Sequence, residues 1–188
     1  QFKTEPDTGD VPLVCDASSD FLCRPLSVKK YGLLYACAQK NAGPAGVTIV
    51  IIREDLADKT REGVPSMLTY KTAVAGGSRH NTPTCFAIYM VKLVADWLLG
   101  EIGAQKNMHE INTRKAAILP EAVDASNGFY QGHAEPKSRS PMTVTFRLPD
   151  AETEAQFFKQ AEARDLHALK GHRSVGGCRA SIYTAMPV

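Results

Sequence analysis

Apolar residues in the first half of the chain fall into short runs bounded by polar or turn-forming residues. Runs at residues 11–15, 31–37 and 47–52 predict three strands. We expect the first to be a buried strand in a sheet that is covered on both faces. The loop between the second and third is short, so these strands are expected to be antiparallel neighbours. Residues 1–10 are polar and predict a loop.

A longer apolar segment precedes Gly100 and predicts a helix that ends near residue 99. Asn81 or Thr82 is expected to cap its start, and Pro83 suits a first helical turn because no N–H is needed there. Apolar side chains cover most of the circumference of this helix. We therefore expect it to be buried between two layers.

The second half is more polar. Residues 107–123 predict an amphipathic helix that Pro120 should kink or end. Further along, alternating and apolar patterns predict one more helix and three strands. These elements are residues 142–148 (strand), 152–164 (helix), 166–169 (strand) and 180–185 (strand). The fold class expected is α/β, with a domain boundary near residue 104: residues 1–104 form an α/β unit and residues 105–188 a smaller α+β unit.

Composition narrows the classes of function. The chain has 188 residues and a net charge of +2 with acidic and basic residues interspersed, which argues against nucleic-acid and membrane partners. The longest apolar run, residues 85–99, is interrupted by Lys92 and Asp96 and is too short to span a bilayer. We expect no signal peptide within the given sequence, and a targeting segment upstream of Gln1 stays an open alternative.

The chain has five cysteines, an odd number, and no CxxC motif. They predict reduced thiols in a reducing compartment such as the cytoplasm. No Cys/His spacing fits zinc, so no metal is expected. A nucleophilic cysteine remains an alternative.

Lys40 is the most informative residue. It lies in the loop Ala-Gln-Lys-Asn-Ala-Gly-Pro-Ala-Gly at residues 38–46, between two predicted strands. A desolvated amine held on a rigid loop is suited to Schiff-base chemistry with an aldehyde. The alternative is a solvated loop lysine.

Asp16 ends the first predicted strand. A carboxylate there can hold a proton on a pyridine nitrogen, as the partner of pyridoxal phosphate does. The alternative is a turn-forming or capping aspartate.

Two further segments can bind anions. Asn81 and Thr82 precede a predicted helix, whose first amides and dipole attract phosphate, although plain capping is the alternative. His172, Arg173 and Arg179 lie in a glycine-rich segment, and guanidinium groups suit carboxylates and phosphates. The alternative for this segment is a basic surface loop.

Taken together, these motifs resemble the C-terminal half of the phosphoserine aminotransferase family, fold-type-I, class-V pyridoxal-phosphate enzymes with an aspartate aminotransferase-like fold. The resemblance rests on four motifs in the family's order. They are Val-Cys-Asp-Ala-Ser-Ser at 14–19, the lysine loop at 38–46, His-Asn-Thr-Pro at 80–83 and Gly-His-Arg-Ser-Val-Gly-Gly-Cys-Arg-Ala-Ser-Ile-Tyr at 171–183.

The resemblance implies a role for each candidate residue. Lys40 would be the Schiff-base lysine and the proton-shuttling base, with Asp16 on the pyridine nitrogen and Gln39 as a cofactor contact. Asn81 and Thr82 would bind the cofactor phosphate of the partner subunit in a homodimer with active sites at the interface. His172 and Arg173 would contact the substrate phosphate.

Arg179 would contact the substrate α-carboxylate. The implied reaction moves an amino group from L-glutamate to 3-phosphohydroxypyruvate, giving O-phosphoserine and 2-oxoglutarate in serine biosynthesis. A phosphohydroxythreonine step in vitamin B6 synthesis is a further possibility under the resemblance. The domains would be part of the large cofactor-binding domain and a small C-terminal domain.

Several departures from the family qualify these expectations. Family members carry about as much chain again before residue 1 and a final helix after residue 188. Cys37 stands where the family often has glycine, Thr84 where it often has proline, and Pro120 lies within a helix. Two alternatives follow: a fragment that retains only a binding or assembly role, and a related fold-type-I transaminase with another acceptor.

Overall fold

The computed structural model describes residues 4–188, so the first three residues of the loop predicted at 1–10 lie outside the described residues. Two compact units are present: residues 6–106 form one, and residues 107–188 form most of the other. Each contains a three-stranded sheet.

The sheet of the first unit consists of β1 (Val14–Asp16), β2 (Leu33–Cys37) and β3 (Thr48–Ile52), in that order. β1 pairs with β2 in parallel, while β2 and β3 are antiparallel. The antiparallel pairing predicted for the second and third strands is therefore confirmed. Leu34 and Ala36 of β2 form the core of this unit with Ala17.

The prediction of a buried strand at residues 11–15 is wrong in both extent and burial. β1 begins only at Val14, and Val11 and Val14 are 68% and 60% exposed. Pro12 has no N–H to give a neighbouring strand. Before β1, the segment pairs through the Leu13 carbonyl, which accepts a hydrogen bond from the Gly32 amide.

Three helices complete the first unit: α1 (Glu54–Ala57), α2 (Tyr70–Ala75) and α3 (Cys85–Gly100). The predicted cap of α3 is corrected, because Thr84 precedes the helix and no side chain caps it. The Ile88 amide makes the first helical hydrogen bond, to the Thr84 carbonyl at 3.1 Å. Thr82 precedes a proline, a position that disfavours helical backbone, so Asn81 and Thr82 lie outside the helix.

The predicted burial of α3 is also wrong for the chain as described. Phe86, Tyr89 and Leu99 are 72%, 56% and 69% exposed, and the buried residues of the helix are Ala87 and Leu98. Apolar side chains do surround α3, but the rest of the unit formed by residues 6–106 packs against only part of the helix surface.

The second unit has an antiparallel sheet in the order β4-β5-β6 and two helices. In chain order its elements are α4 (Gln105–Ala125), β4 (Gln131–Gly132), β5 (Thr143–Arg147), α5 (Ala151–Glu162) and β6 (Cys178–Ser181). The predicted strand at 142–148 and helix at 152–164 are confirmed to within a few residues. Phe146 of β5 and Phe157 of α5 meet edge to face in the core.

Pro120 does not end the helix, which was one of the two effects predicted for it, and the strand predicted at 166–169 is wrong. α4 continues through Pro120, because Ala116 and Leu119 before the proline and Val123 after it pack against the same core. Residues 166–169 form no strand; the Leu169 carbonyl accepts the Arg179 amide at 2.7 Å, and the next residue, Lys170, forms an isolated bridge with Cys178. β6 begins earlier than predicted and ends at Ser181.

Lys115 of α4 is buried, and its amine bonds three main-chain carbonyls near the end of the chain. The acceptors are the carbonyls of Tyr183, Thr184 and Met186, at 2.8, 3.4 and 2.8 Å. A buried ammonium needs such partners, so Lys115 fastens the segment after β6 to α4.

No helix among residues 4–188 is both long and apolar enough to cross a membrane. In the described part of the chain, no cluster of His, Cys, Asp or Glu side chains has the grouping of a metal site.

Candidate active site

The Lys40 loop begins where β2 ends and is a compact turn. The amides of Ala42 and Gly43 both donate to the Ala38 carbonyl at 2.9 Å. The Asn41 side chain donates to the Ser19 carbonyl at 3.2 Å, which ties this loop to the turn after β1. Lys40 is half-buried and Gln39 is exposed. The lysine therefore stands on a loop of defined shape.

Gly43 fixes the same loop against α3. A Cβ atom at this position would lie 2.9 Å from Cγ2 of Val91, closer than two carbon atoms can approach. Only glycine permits this contact without displacement of the helix. The loop is thus held by its own main chain on one side and by α3 on the other.

Asp16 is the exposed last residue of β1, and hydrogen-bond donors converge on its carboxylate. The hydroxyl and amide of Ser18 both donate to it, the amide at 2.9 Å to Oδ1. The Tyr35 hydroxyl adds a further bond. The pKa of Asp16 is lowered, first by the Ser18 hydroxyl, then by the Ser18 amide, and further by Tyr35 and the charge of Lys40, against a smaller opposing effect of burial.

The turn after β1 and the loop after β2 are joined by the Asn41–Ser19 hydrogen bond, and the charge of Lys40 contributes to the lowered pKa of Asp16. Sequence reasoning missed Ser18 and Tyr35. The Asp-x-Ser spacing of an Asx turn was a signal for Ser18. Tyr35 could be found only from the register of β1 and β2, in which Asp16 and Tyr35 are direct partners.

Asn81 and Thr82 are exposed in the segment before α3. Asn81 and His80 line a small hollow with the hydroxyl-bearing residues Ser66, Thr69, Thr72 and Ser78. Thr69 caps α2 by accepting the Thr72 amide at 3.3 Å. Hydroxyl and amide groups thus gather near Asn81, which is chemistry suited to a phosphate.

In the second unit, His172 opens a tight glycine-rich loop. Its carbonyl accepts the amides of Val175 and Gly176 at 2.9 and 2.8 Å, and the Gly171 amide donates to the Gly177 carbonyl at 2.7 Å. A Cβ on Gly171 would lie 2.0 Å from the Gly176 oxygen, so no other residue fits there. Contacts between main-chain atoms close the loop.

Ser174 orients the His172 ring. Its amide donates to Nδ1 at 3.3 Å, and its hydroxyl lies 2.7 Å from the same nitrogen. Because Nδ1 accepts the amide, the neutral ring carries its hydrogen on Nε2. His172 and the neighbouring Arg173 are exposed, with Nε2–H and the guanidinium available as donors to an anion. Ser174 was not identified from the sequence.

Arg179 lies on β6 and lines a hollow shared with His172 and Arg147. Its Nε is buried and has no hydrogen-bond acceptor among residues 4–188. A buried donor without an acceptor costs free energy, so this guanidinium is suited to a carboxylate that supplies the missing acceptor. Arg147, also missed from the sequence, donates to the Val175 carbonyl at 3.0 Å and supports the loop.

Cys178, next to Arg179, is not suited to act as a nucleophile. Burial, with a contribution from the charge of Glu154, raises the pKa of its thiol to about 11. The thiolate is the reactive form of cysteine. The second unit therefore presents cationic binding groups around an inert thiol.

Comparison with known proteins places these residues in a family. The class-V aminotransferase family model matches residues 5–188. A phosphoserine aminotransferase of Rhodopirellula baltica is 57% identical over 188 residues, covering 100% of this chain and 50% of that protein. The chain spans about half the length of the curated relatives it matches.

Solved structures give the same result. Phosphoserine aminotransferase from Bacillus circulans subsp. alkalophilus superimposes with a TM-score of 0.95 at 50% identity, over 100% of this chain and 52% of that one. A pyridoxal-phosphate-bound phosphoserine aminotransferase from Trichomonas vaginalis gives a TM-score of 0.92 at 37% identity, over 100% and 53%. The fold is the mixed α/β fold of pyridoxal-phosphate-dependent aminotransferases. This chain belongs to the class-V aminotransferase family.

Proposed function

We propose that this chain is half of a phosphoserine aminotransferase subunit and contributes the lysine that attaches pyridoxal phosphate. The observation that carries the proposal is that the turn holding Asp16 and the loop holding Lys40 follow two parallel, paired strands and are joined by the hydrogen bond from Asn41 to the Ser19 carbonyl. The similarity to phosphoserine aminotransferases over the whole of this chain supports the choice of substrate. Because those proteins are about twice as long, the activity belongs to the complete subunit.

The donor set fits pyridoxal phosphate. An amine and an ionised carboxylate lie close together, one suited to the aldehyde and the other to the ring nitrogen. When bound, the cofactor supplies that aldehyde and a protonated ring that withdraws electrons from the substrate. Asp16 would hold the proton at the ring nitrogen, and Gln39 would contact the cofactor beside Lys40.

Lys40 has two tasks in this proposal. Its amine would hold the cofactor through the aldehyde, and the same amine would serve as the base that moves a proton from the substrate Cα. A half-buried amine on a loop held by Ala38 and Gly43 can make this short transfer without moving the loop.

Substrate binding would use the second unit. The unsatisfied Nε of Arg179 would donate to the α-carboxylate of the amino acid. His172, through Nε2–H, and Arg173 would bind the phosphate of phosphohydroxypyruvate or phosphoserine. L-glutamate and 2-oxoglutarate lack that phosphate, so His172 and Arg173 would bind the distal carboxylate of these substrates instead.

The wider organisation is part of the proposal. Residues 6–106 would belong to the large cofactor-binding domain, and residues 107–188 to the small C-terminal domain. Asn81 and Thr82 would bind the cofactor phosphate of the partner subunit in a homodimer. The cysteines are thiols, which supports a cytoplasmic location.

The test is chemical trapping on the complete subunit. With pyridoxal phosphate and borohydride, mass spectrometry should find one reduced adduct, at Lys40, and Lys40→Ala should show none, whereas Lys92→Ala should retain it. The same protein should transfer an amino group from O-phosphoserine to 2-oxoglutarate far faster than from serine. An adduct at another lysine, or equal rates with serine, would overturn the proposal.

A further inference from the structure

Ser18 and Tyr35 surround Asp16 in a way that its proposed role does not by itself require. Asp16 and Tyr35 are direct partners in the parallel pairing of β1 and β2, so their side chains lie on the same face of the sheet. The Tyr35 hydroxyl donates to the Asp16 carboxylate from that neighbouring strand.

Ser18 donates to the carboxylate from the turn after β1, and a hydrogen bond holds the Ser18 hydroxyl in place. Its Oγ accepts the Cys37 amide at 3.0 Å, and its hydroxyl hydrogen is directed to Asp16. Ser18 is only 8% exposed. A main-chain amide of β2 thus orients a hydroxyl, which in turn orients the carboxylate at the end of β1.

We propose that Ser18 and Tyr35 are positioning residues that hold Asp16 as an oriented, charged acceptor for the ring nitrogen of bound pyridoxal phosphate. This inference rests on the proposed function. Donors that stabilise a carboxylate disfavour its protonation, so the shared proton stays on the ring nitrogen. They also restrict rotation of the carboxylate, which would favour one fixed orientation when the cofactor binds.

Paired cofactor probes test the inference on the complete subunit. One probe is pyridoxal phosphate, and the other is the same molecule with carbon in place of the ring nitrogen. Both carry the aldehyde and the phosphate, so the ratio of their dissociation constants isolates the contact at the ring nitrogen.

Tyr35→Phe removes one exposed hydroxyl and keeps the aromatic ring, so the fold should persist. We expect it to weaken pyridoxal phosphate binding about tenfold, the value of one hydrogen bond to a charged group, and to change binding of the carbon analogue less than twofold. In an Asp16→Asn background, Tyr35→Phe should not further change the ratio of the dissociation constants of the two probes. Tyr89→Phe, which removes a tyrosine hydroxyl that has no proposed contact with Asp16 or the cofactor, is the matched control and should change neither dissociation constant.

Ser18→Ala should likewise raise the dissociation constant of pyridoxal phosphate relative to that of the carbon analogue, and Ser18→Thr, which keeps the hydroxyl, should restore the original value. Equal weakening of both probes by Tyr35→Phe would show a merely structural role and overturn the inference, as would no change in either. If the unsubstituted subunit binds neither probe, the proposed function itself fails.

Discussion

The ammonium group of Lys40 lies near enough to the carboxylate of Asp16 for its charge to help lower the pKa of that carboxyl. The two residues are 24 positions apart in sequence (40 minus 16), but β1 and β2 run in parallel, so the loops after both strands meet at one edge of the sheet. An amine and an ionised carboxylate at the same sheet edge are the pair that a pyridine aldehyde requires.

Lys40→Ala should abolish turnover of the complete enzyme while pyridoxal phosphate still binds noncovalently, because Asp16 and the other contacts remain. Steady-state rates and cofactor retention after gel filtration measure the two effects. Near-normal turnover would contradict the assignment of Lys40.

Arg173→Ala should raise the KM for phosphorylated substrates about 10- to 100-fold, the loss expected for one or more hydrogen bonds from a guanidinium to phosphate. Lys170→Ala is the matched control, since Lys170 lies over the Phe158 ring and has no proposed role in catalysis. If Arg173→Ala left the KM for phosphoserine unchanged, an acceptor other than a phosphorylated one would be favoured.

Lys115→Met should destabilise the second unit by about 2–4 kcal/mol, because it leaves three main-chain carbonyls, one of them on buried Thr184, without their shared donor. Urea denaturation of the complete subunit, followed by hydrogen exchange at residues 183–186, measures the loss and locates it. Lys106→Met, at an exposed site, should have little effect. Unchanged protection of residues 183–186 would show that these bonds are dispensable.

Alkylation of Cys178 should be very slow at pH 8 in the folded protein. With a pKa of about 11, only about one thiol in a thousand is ionised at that pH. The rate should rise about tenfold for each pH unit as the pH approaches 11, and denaturant should abolish the protection. Rapid modification at pH 8 without unfolding would show that the thiol is more acidic than its buried position implies.

Local signals were enough to find Lys40 and Asp16, because each ends or follows an apolar run at a recognisable turn. Tyr35 was not found because its role depends on which residue of β1 faces it, and strand register is a tertiary property. The N-cap of α3 was predicted at residues before its actual position, because proline is compatible with the position just before a helix as well as with its first turn.

Burial of α3 was predicted from its own residues, but exposure depends on what packs against them. Phe86 and Tyr89 remain exposed because residues 6–106 do not supply the opposing surface. Pro120 shows the converse, since packing on both sides of it outweighs its missing hydrogen bond.

The close main-chain contact at Gly171 separates the shape of this loop from the charge that its side chains present. The shape of the loop is set by main-chain contacts of Gly171, Gly176 and Gly177, whereas residues 172–175 are exposed and Ser174 bonds the His172 ring. Substitutions in that tetrapeptide can therefore change the charge offered to a substrate without refolding the loop. Replacement of Gly171, by contrast, would force apart the main-chain contact that closes the loop.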